Sequence, residues 1–202
     1  MKIRWLLAVL ILARAALAQG QEKKGIIIEG GDPDERASTR ILYWDRDKDG
    51  AAGQFAINYG RPLWKKDYED PAKFDSMTKG KVWRMGKDFW TNLDTQLPLK
   101  ISGKNVAAGS YYLGVYRSAD GAEWSLAFID PAKVRSARID AFEIAKAPVL
   151  FKVPMKFEKA PTTTEKLTLT LSHPKDDIRN ATLKVAWGNM VLTAPVQVAF
   201  GK

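Results

Sequence analysis

The chain has 202 residues, a formal net charge of +9 and no cysteine. The missing cysteines exclude disulfides, thiol catalysis and a lipidated N-terminal cysteine, and they argue against a small disulfide-framed extracellular module. The basic residues are scattered among acids without a long run of like charge, which favours a solvated basic surface over a nucleic-acid-binding face. A single domain with its own core is the simplest organisation for this length.

The first eighteen residues have the three regions of a secretory signal peptide. Lys2 and Arg4 give a positive start, an unbroken apolar run follows, and Ala16–Ala18 supplies the small-x-small pattern that signal peptidase reads. The apolar run is too short to span a bilayer. We therefore predict an exported protein, periplasmic or secreted, with residues 1–18 removed. Loss of the three basic residues of this segment lowers the formal charge from +9 to +6.

Residues 19–38 are largely polar and include a Gly-Gly-Asp-Pro sequence, which is typical of loops. We predict a flexible mature N-terminus there, in which the apolar residues 26–28 are a candidate strand. Further along the chain, short runs rich in aromatic and β-branched residues alternate with turn residues. We therefore assign residues 39–202 to one β-sandwich domain.

Several of these runs alternate apolar and polar side chains. Leu167, Leu169 and Leu171, for example, share one face of their run, and the residues between them are threonines. This period of two is typical of half-buried antiparallel strands, and only residues 131–137 suggest a helical turn or two. The sequence predicts an all-β fold, a jelly-roll-like antiparallel β-sandwich of about ten strands with little helix. The predicted strands are 41–44, 54–59, 81–84, 96–102, 110–116, 123–129, 149–157, 166–172, 181–187 and 191–200.

The first candidate site is a D-x-D-x-D-G sequence with its acids at Asp45, Asp47 and Asp49. Alternating carboxylates before a glycine are typical of the start of a calcium-binding loop. The twelfth position of that loop is Ala56 instead of an acid, however, and Lys48 reduces the local negative charge. We interpret the segment as a hairpin turn and keep a weak calcium site, the only cofactor that the sequence suggests, as the alternative.

The second candidate site is the aromatic and basic region from Arg61 to Trp90. Exposed tryptophans can form a platform for sugar rings or an anchor for a protein partner, and an arginine beside a tryptophan suits a planar contact with a carboxylate. The same arginine could instead form a buried pair with an aspartate that stabilises the sandwich. Trp124 and Trp187 lie in apolar runs and are predicted to be core. The predicted ligand-binding residues are Arg61, Trp64, Trp83, Arg84, Asp88 and Trp90.

Catalytic signatures are weak, and we predict no catalytic residue. His173, the only histidine, precedes a proline in a polar turn, and the chain has no G-x-S-x-G motif, so a serine hydrolase is not indicated. Two carboxylates for glycoside hydrolysis could meet from anywhere in the fold, and no motif singles out a pair. The acids nearest the aromatic region are Asp67, Glu69, Asp70, Asp75, Asp88 and Asp94.

Three segments occur in a characteristic order. They are N-Y-G-R-P at Asn58–Pro62, V-W-R-M-G at Val82–Gly86, and a turn followed by A-G-S-Y-Y-L at Ala108–Leu113. Together they resemble a bacterial family of exported domains known as domain-of-unknown-function family 2911, over roughly residues 54–200. The resemblance implies an exported, mostly antiparallel β domain and no assigned activity. Phe89 stands where the family typically has an acidic residue.

The sequence therefore predicts a non-catalytic ligand-binding or structural module of the cell envelope. Its expected partner is an envelope glycan or an envelope protein, with no nucleic acid and no transmembrane segment after signal cleavage. Two alternatives stay open: a carbohydrate-active hydrolase that uses paired carboxylates, and a calcium-stabilised adhesion-type domain.

Overall fold

The computed structural model describes residues 25–28, 31 and 35–200. The predicted signal peptide, residues 1–18, and most of the predicted flexible segment lie outside the described residues. Residues 25–28 form no strand, so the candidate strand at 26–28 is wrong: Ile26 and Ile28 are fully exposed and pair with no strand among the described residues. Residues 35–200 belong to one compact unit. None of the helices in the described part of the chain is long and apolar enough to cross a membrane.

The described chain is built mainly of β-strands. Two short α-helices, α1 (Pro71–Thr78) and α2 (Pro131–Ser136), and 3₁₀ turns at Lys66–Glu69 and Ala141–Lys146 lie between them. Strand β1 begins inside the segment predicted to be flexible. The strands are β1 (Arg36–Asp45), β2 (Gly50–Gly60), β3 (Val82–Arg84), β4 (Thr91–Thr95), β5 (Leu99–Ile101), β6 (Lys104–Val106), β7 (Gly109–Arg117), β8 (Trp124–Ile129), β9 (Val149–Ser172) and β10 (Asn180–Val198).

The strands pair in the order β1-β2-β4-β7-β8-β9-β10-β5-β6, and β3 pairs with β7 beside β4. Each of these pairs is antiparallel. The predicted all-β, antiparallel fold with little helix is therefore confirmed, and the ten strands form one continuous hydrogen-bonded sheet. The helical turn predicted at residues 131–137 is present as α2.

Strand β9 connects the two halves of the sheet. Its first part, Val149–Met155, pairs with β8, whereas its second part, from Lys156 to Ser172, pairs with β10. Inward-facing side chains of both halves pack into one core. Tyr59 of β2 links the two halves, because its hydroxyl accepts a hydrogen bond from Leu169 N of β9 at 3.0 Å. Trp124 and Trp187 are 5% and 8% exposed, which confirms that both are core residues.

Strands β9 and β10 are each longer than the sequence predicts. The predicted strands 149–157 and 166–172 are both part of β9, and 181–187 and most of 191–200 are part of β10. The polar stretches between them form a bulge instead of turns. Gly188 pairs with Thr164 and Met190 pairs with Lys159, so residues 160–163 of β9 lie opposite Asn189 alone. Such a bulge interrupts the ladder of hydrogen bonds and re-aims the side chains around it.

Strands β4 and β6 are absent from the prediction. The sequence of β4, T-N-L-D-T, has a single large apolar residue and does not resemble a buried strand. Its two threonines are nevertheless buried, because their hydroxyls donate to main-chain carbonyls: Thr91 to Met85 and Thr95 to Leu97. A buried hydroxyl is tolerated when it is paired in this way.

Candidate functional site

A cleft of about 640 Å³ opens between three separate segments of the chain. One segment is the connection from β2 to β3, which includes α1. The second is the turn between β7 and β8, and the third is the bulge between β9 and β10. We call it the aromatic cleft, because five of its lining side chains are aromatic. These are Trp64, Tyr68, Phe74, Trp124 and Phe157.

Helix α1 carries one wall of the aromatic cleft. Asp70 caps its first turn, since its Oδ1 accepts hydrogen bonds from Ala72 N at 2.9 Å and Lys73 N at 3.3 Å. Pro71 occupies the first turn, where a missing N–H costs nothing. This start orients the helix so that Phe74 lines the cleft.

Trp64 lies at the centre of the aromatic packing. Its ring centroid is 5.1 Å from that of Trp187 in an edge-to-face contact, 5.3 Å from that of Tyr68 and 6.0 Å from that of Phe74. Phe74 in turn lies 6.3 Å from Trp124, on which Phe157 stacks at 5.8 Å. These separations are the favourable ones for aromatic pairs. The cleft is therefore lined by rings whose positions are set by packing.

Gly188, in the bulge, allows Trp64 to approach β10. Its φ of +60° lies in the left-handed region, and a Cβ atom there would lie only 2.4 Å from the indole of Trp64. A side chain at this position is therefore both strained and in collision with Trp64. The close packing of Trp64 against the bulge therefore requires a glycine at position 188.

Arg117, at the end of β7, packs its guanidinium against two rings of the cleft. Its Cζ lies 5.1 Å from the ring centroid of Trp124 and 5.7 Å from that of Phe74, which are cation–π distances. Nε donates to the carbonyl of Gly121 at 3.0 Å. The side chain is 15% exposed, so the charge lies in a partly desolvated position.

The same guanidinium ties α1 to the sheet. Nη1 of Arg117 donates to Asp75 Oδ1 at 2.6 Å and to Thr78 Oγ1 at 3.1 Å. Lys79 Nζ lies 2.7 Å from the other carboxylate oxygen of Asp75. The hydrogen bonds from Lys79 and Arg117 hold the pKa of Asp75 below its ordinary value. Asp75 is therefore an ionised group that positions Arg117.

The match to known proteins is at the level of a family. A family model described as a protein of unknown function, DUF2911, matches residues 47–196. The chain belongs to the DUF2911 family. The matched range contains every residue that lines the aromatic cleft, and the predicted family resemblance is confirmed. No curated protein and no solved structure matches the chain.

The DUF2911 domain separates the tryptophans that the sequence groups together. Trp64 lines the aromatic cleft. Trp83 lies behind it, stacked on Trp187 at 5.9 Å. Trp90 lies in another part of the structure, where it stacks on Tyr112 at 4.8 Å. A single platform made of Trp64, Trp83 and Trp90 is therefore not formed.

The predicted arginines donate chiefly to main-chain carbonyls. Arg61 donates to the carbonyl of Leu167 and to Thr168 Oγ1, each at 3.2 Å, and so attaches the chain after β2 to β9. Arg84 donates to the carbonyl of Asp88 at 3.0 Å, whereas the Asp88 carboxylate pairs with Lys87 at 3.2 Å. The contact between Arg84 and Asp88 is thus a loop contact and not a carboxylate pair.

The aspartate-rich loop forms the hairpin turn between β1 and β2. Asp45 Oδ1 accepts from Asp47 N at 3.0 Å and from Lys48 N at 3.2 Å, and Oδ2 pairs with Lys48 Nζ at 3.2 Å. These hydrogen bonds, chiefly those of Lys48, lower the pKa of Asp45. Among the described residues, no three or more acid, histidine or cysteine side chains form a group that could hold a metal ion. Calcium binding by Asp45, Asp47 and Asp49 stays a prediction.

His173 lies in a different region. It lines a second cavity of about 390 Å³ beside β1, together with Tyr43, Trp44 and Ile178. Its Nδ1 lies 3.0 Å from the carbonyl of Pro174. The histidine is thus part of the turn after β9, remote in sequence from the acids of the aromatic cleft.

Most residues of the aromatic cleft are absent from the predicted site. The cleft takes residues from three distant segments, and their convergence depends on the pairing of β7, β8, β9 and β10. One sequence signal was available: the Gly188-Asn189 dipeptide interrupts an apolar run, and an isolated glycine in a strand indicates a bulge. The cleft residues outside the predicted region from Arg61 to Trp90 are Arg117, Gly121, Ala122, Trp124, Phe157, Lys159, Thr163, Asn189 and Met190.

Proposed function

We propose that this DUF2911 protein is a carbohydrate-binding module and that the aromatic cleft takes a sugar residue. The observation that carries the proposal is the stacked pair of Phe157 and Trp124, which lines a cleft of about 640 Å³ together with Trp64. The apolar faces of a sugar ring pack on aromatic rings, while a few polar groups orient its hydroxyls. Thr163 and Asn189, both exposed, are such groups.

Binding fits the acids of the cleft better than hydrolysis does. Of the six acids near the aromatic region, Glu69 and Asp75 line the cleft. Glycoside hydrolysis needs one carboxyl group that can protonate the leaving oxygen and a second that is free to act as nucleophile or base. Both oxygens of Asp75 already accept from Arg117 and Lys79, which favours a structural role for this carboxylate.

We place this function outside the cytoplasm, on an envelope glycan, because the first eighteen residues have the order of a signal peptide. Mass spectrometry of the protein recovered from the producing cell checks this point. A mature chain that begins at Gln19 supports export, and a chain that retains Met1 contradicts it.

The test of the proposed function is isothermal titration of the purified protein with a panel of envelope oligosaccharides, using the Phe157→Ala variant. Phe157 is 46% exposed, so the substitution removes cleft surface with little effect on the core. Loss of an aromatic anchor costs about 2 kcal/mol, which is more than a tenfold loss of affinity.

The matched control is Phe142→Ala, because Phe142 is 82% exposed and does not line the cleft. We expect this variant to bind like the wild type, and both variants to melt near the wild-type temperature. The proposal fails if no oligosaccharide binds, or if Phe157→Ala binds as tightly as the control.

A further inference from the structure

We propose that the aromatic cleft selects a sugar that carries a carboxylate, a hexuronate, which pairs with Arg117 and Lys159. This inference rests on the proposed carbohydrate-binding function and names the chemical class of its ligand. It depends on two features of the cleft: an arginine edge that has no partner, and a lysine next to the bulge.

The Nη2 atom of Arg117 is the unpaired edge. Nε donates to Gly121 and Nη1 donates to Asp75 and Thr78, whereas Nη2 donates to no other group in the described part of the chain. Nη2 is not fully buried, and Arg117 lines the cleft. An arginine edge presents two N–H groups in a plane, which matches the geometry of a carboxylate.

The position of this guanidinium is fixed before any ligand binds. Asp75, Thr78 and Gly121 hold it on one side, and the rings of Trp124 and Phe74 lie against it. A side chain that is already ordered loses little conformational entropy when it binds an anion. The partial burial of Arg117 also limits the screening of its charge by solvent and salt.

Lys159, next to the bulge, brings a second positive charge to the cleft. It is exposed, lines the cleft, and forms no ion pair with any residue in the described ranges. The bulge is the reason for its position, because Lys159 is the last residue of β9 that pairs with β10 before the ladder is interrupted. A flexible ammonium group can follow the carboxylate of a sugar that stacks on the nearby Phe157.

Four charged side chains line the cleft, two of each sign. Arg117 and Lys159 are the cations, and Glu69 and Asp75 are the anions; Lys79, outside the lining, also pairs with Asp75. Since Asp75 is shared by Arg117 and Lys79, Glu69 is the acid that remains to oppose the free edge of Arg117 and Lys159. A neutral sugar would leave both cationic groups without a partner, and a simple anion would leave the aromatic walls uncovered.

The test compares two ligands with the same sugar backbone, one with charged carboxylates and one without: a galacturonate trisaccharide and its fully methyl-esterified form. Titrations are made at low and high salt with the wild type, with Lys159→Met, and with Lys184→Met. Lys184 is an exposed lysine on β10 that does not line the cleft, which makes it the matched control. Free acetate is titrated separately as an anion without a ring.

We expect the wild type and Lys184→Met to bind the charged trisaccharide at least tenfold more tightly than the ester at low salt. The ratio should fall in Lys159→Met by at least threefold and should also fall at high salt. Acetate alone should not bind in the millimolar range. Equal affinity for the two trisaccharides, or an unchanged ratio in Lys159→Met, overturns the inference and leaves the proposed function intact. Binding of neither, while other sugars bind, also overturns it; binding of no sugar at all overturns both.

Discussion

Gly188 is the single residue on which the shape of the cleft depends most directly. Replacement by alanine adds a Cβ atom to a left-handed residue and places it 2.4 Å from the indole of Trp64. Strain and collision together should lower the free energy of unfolding by about 3 kcal/mol. Urea denaturation of Gly188→Ala measures this loss.

The matched control for this substitution is Gly103→Ala. Gly103 also has a positive φ, +85°, but no atom lies within 4 Å of its added Cβ. Backbone strain alone should cost about 1 kcal/mol there. If the two variants lose the same stability, the contact between Gly188 and Trp64 does not constrain the fold.

Asp75 gives the structure a defined dependence on pH. Because the pKa of Asp75 is lower in the folded protein than its ordinary value of 3.8, its stabilising effect is present above that value. The effect is lost as the pH falls through the lower folded pKa. Asp75→Asn should therefore be less stable than the wild type near neutrality, and the difference should shrink as the pH falls below 3.8.

Denaturant unfolding near neutrality and in acid checks this prediction, with Asp176→Asn as the control. Asp176 is an exposed aspartate that has no ion pair with any of the described residues, so its substitution should change little at either pH. A difference between Asp75→Asn and the wild type that persists in acid would mean that the ion pairs with Arg117 and Lys79 do not stabilise the fold.

At the scale of elements, the bulge between β9 and β10 builds the rim of the cleft. Two steps along β10, from Gly188 to Met190, correspond to five steps along β9, from Lys159 to Thr164. Deletion of residues 161–163 therefore removes the register shift between Gly188 and Met190 and leaves the one between Ala186 and Gly188. We expect this variant to keep its β-sheet circular dichroism spectrum and to lose glycan affinity, because bulges aim side chains.

The control for the deletion of residues 161–163 is the deletion of residues 175–176, which lie in the exposed connection between β9 and β10. This second deletion should leave glycan binding unchanged. If both deletion variants bind glycan as the wild type does, the bulge is not part of the site.

At the scale of the whole molecule, the period-two patterns were sufficient to predict an all-β, antiparallel fold. The same patterns did not predict strands whose buried residues are polar and form tertiary hydrogen bonds. Thr91 and Thr95 are buried through hydrogen bonds to carbonyls, so β4 lacks the composition of a strand. Residues 158–165 and 188–190 have the composition of turns, and each predicted break lies inside a single long strand.

The site was predictable only in part, for a related reason. Trp64 stands out in the sequence as an aromatic residue beside lysines, and it does line the cleft. Arg117 and Phe157 come from other strands, and no local pattern brings them near Trp64. Arg61 and Arg84 resemble ligand-binding residues, but their donors are directed mainly to carbonyls of the chain itself. Local composition does not reveal which partner a guanidinium finds.

The central claim is that the aromatic cleft binds a carbohydrate, and NMR of the tryptophan indole N–H groups tests it most directly. The galacturonate trisaccharide and its methyl ester are titrated into ¹⁵N-labelled protein. Trp64 and Trp124 line the cleft, whereas Trp44 and Trp90 do not. The account predicts that the signals of Trp64 and Trp124 shift with at least one ligand, while those of Trp44 and Trp90 stay in place. No shift with either ligand would contradict the choice of a hexuronate, and shifts confined to Trp44 or Trp90 would contradict the central claim.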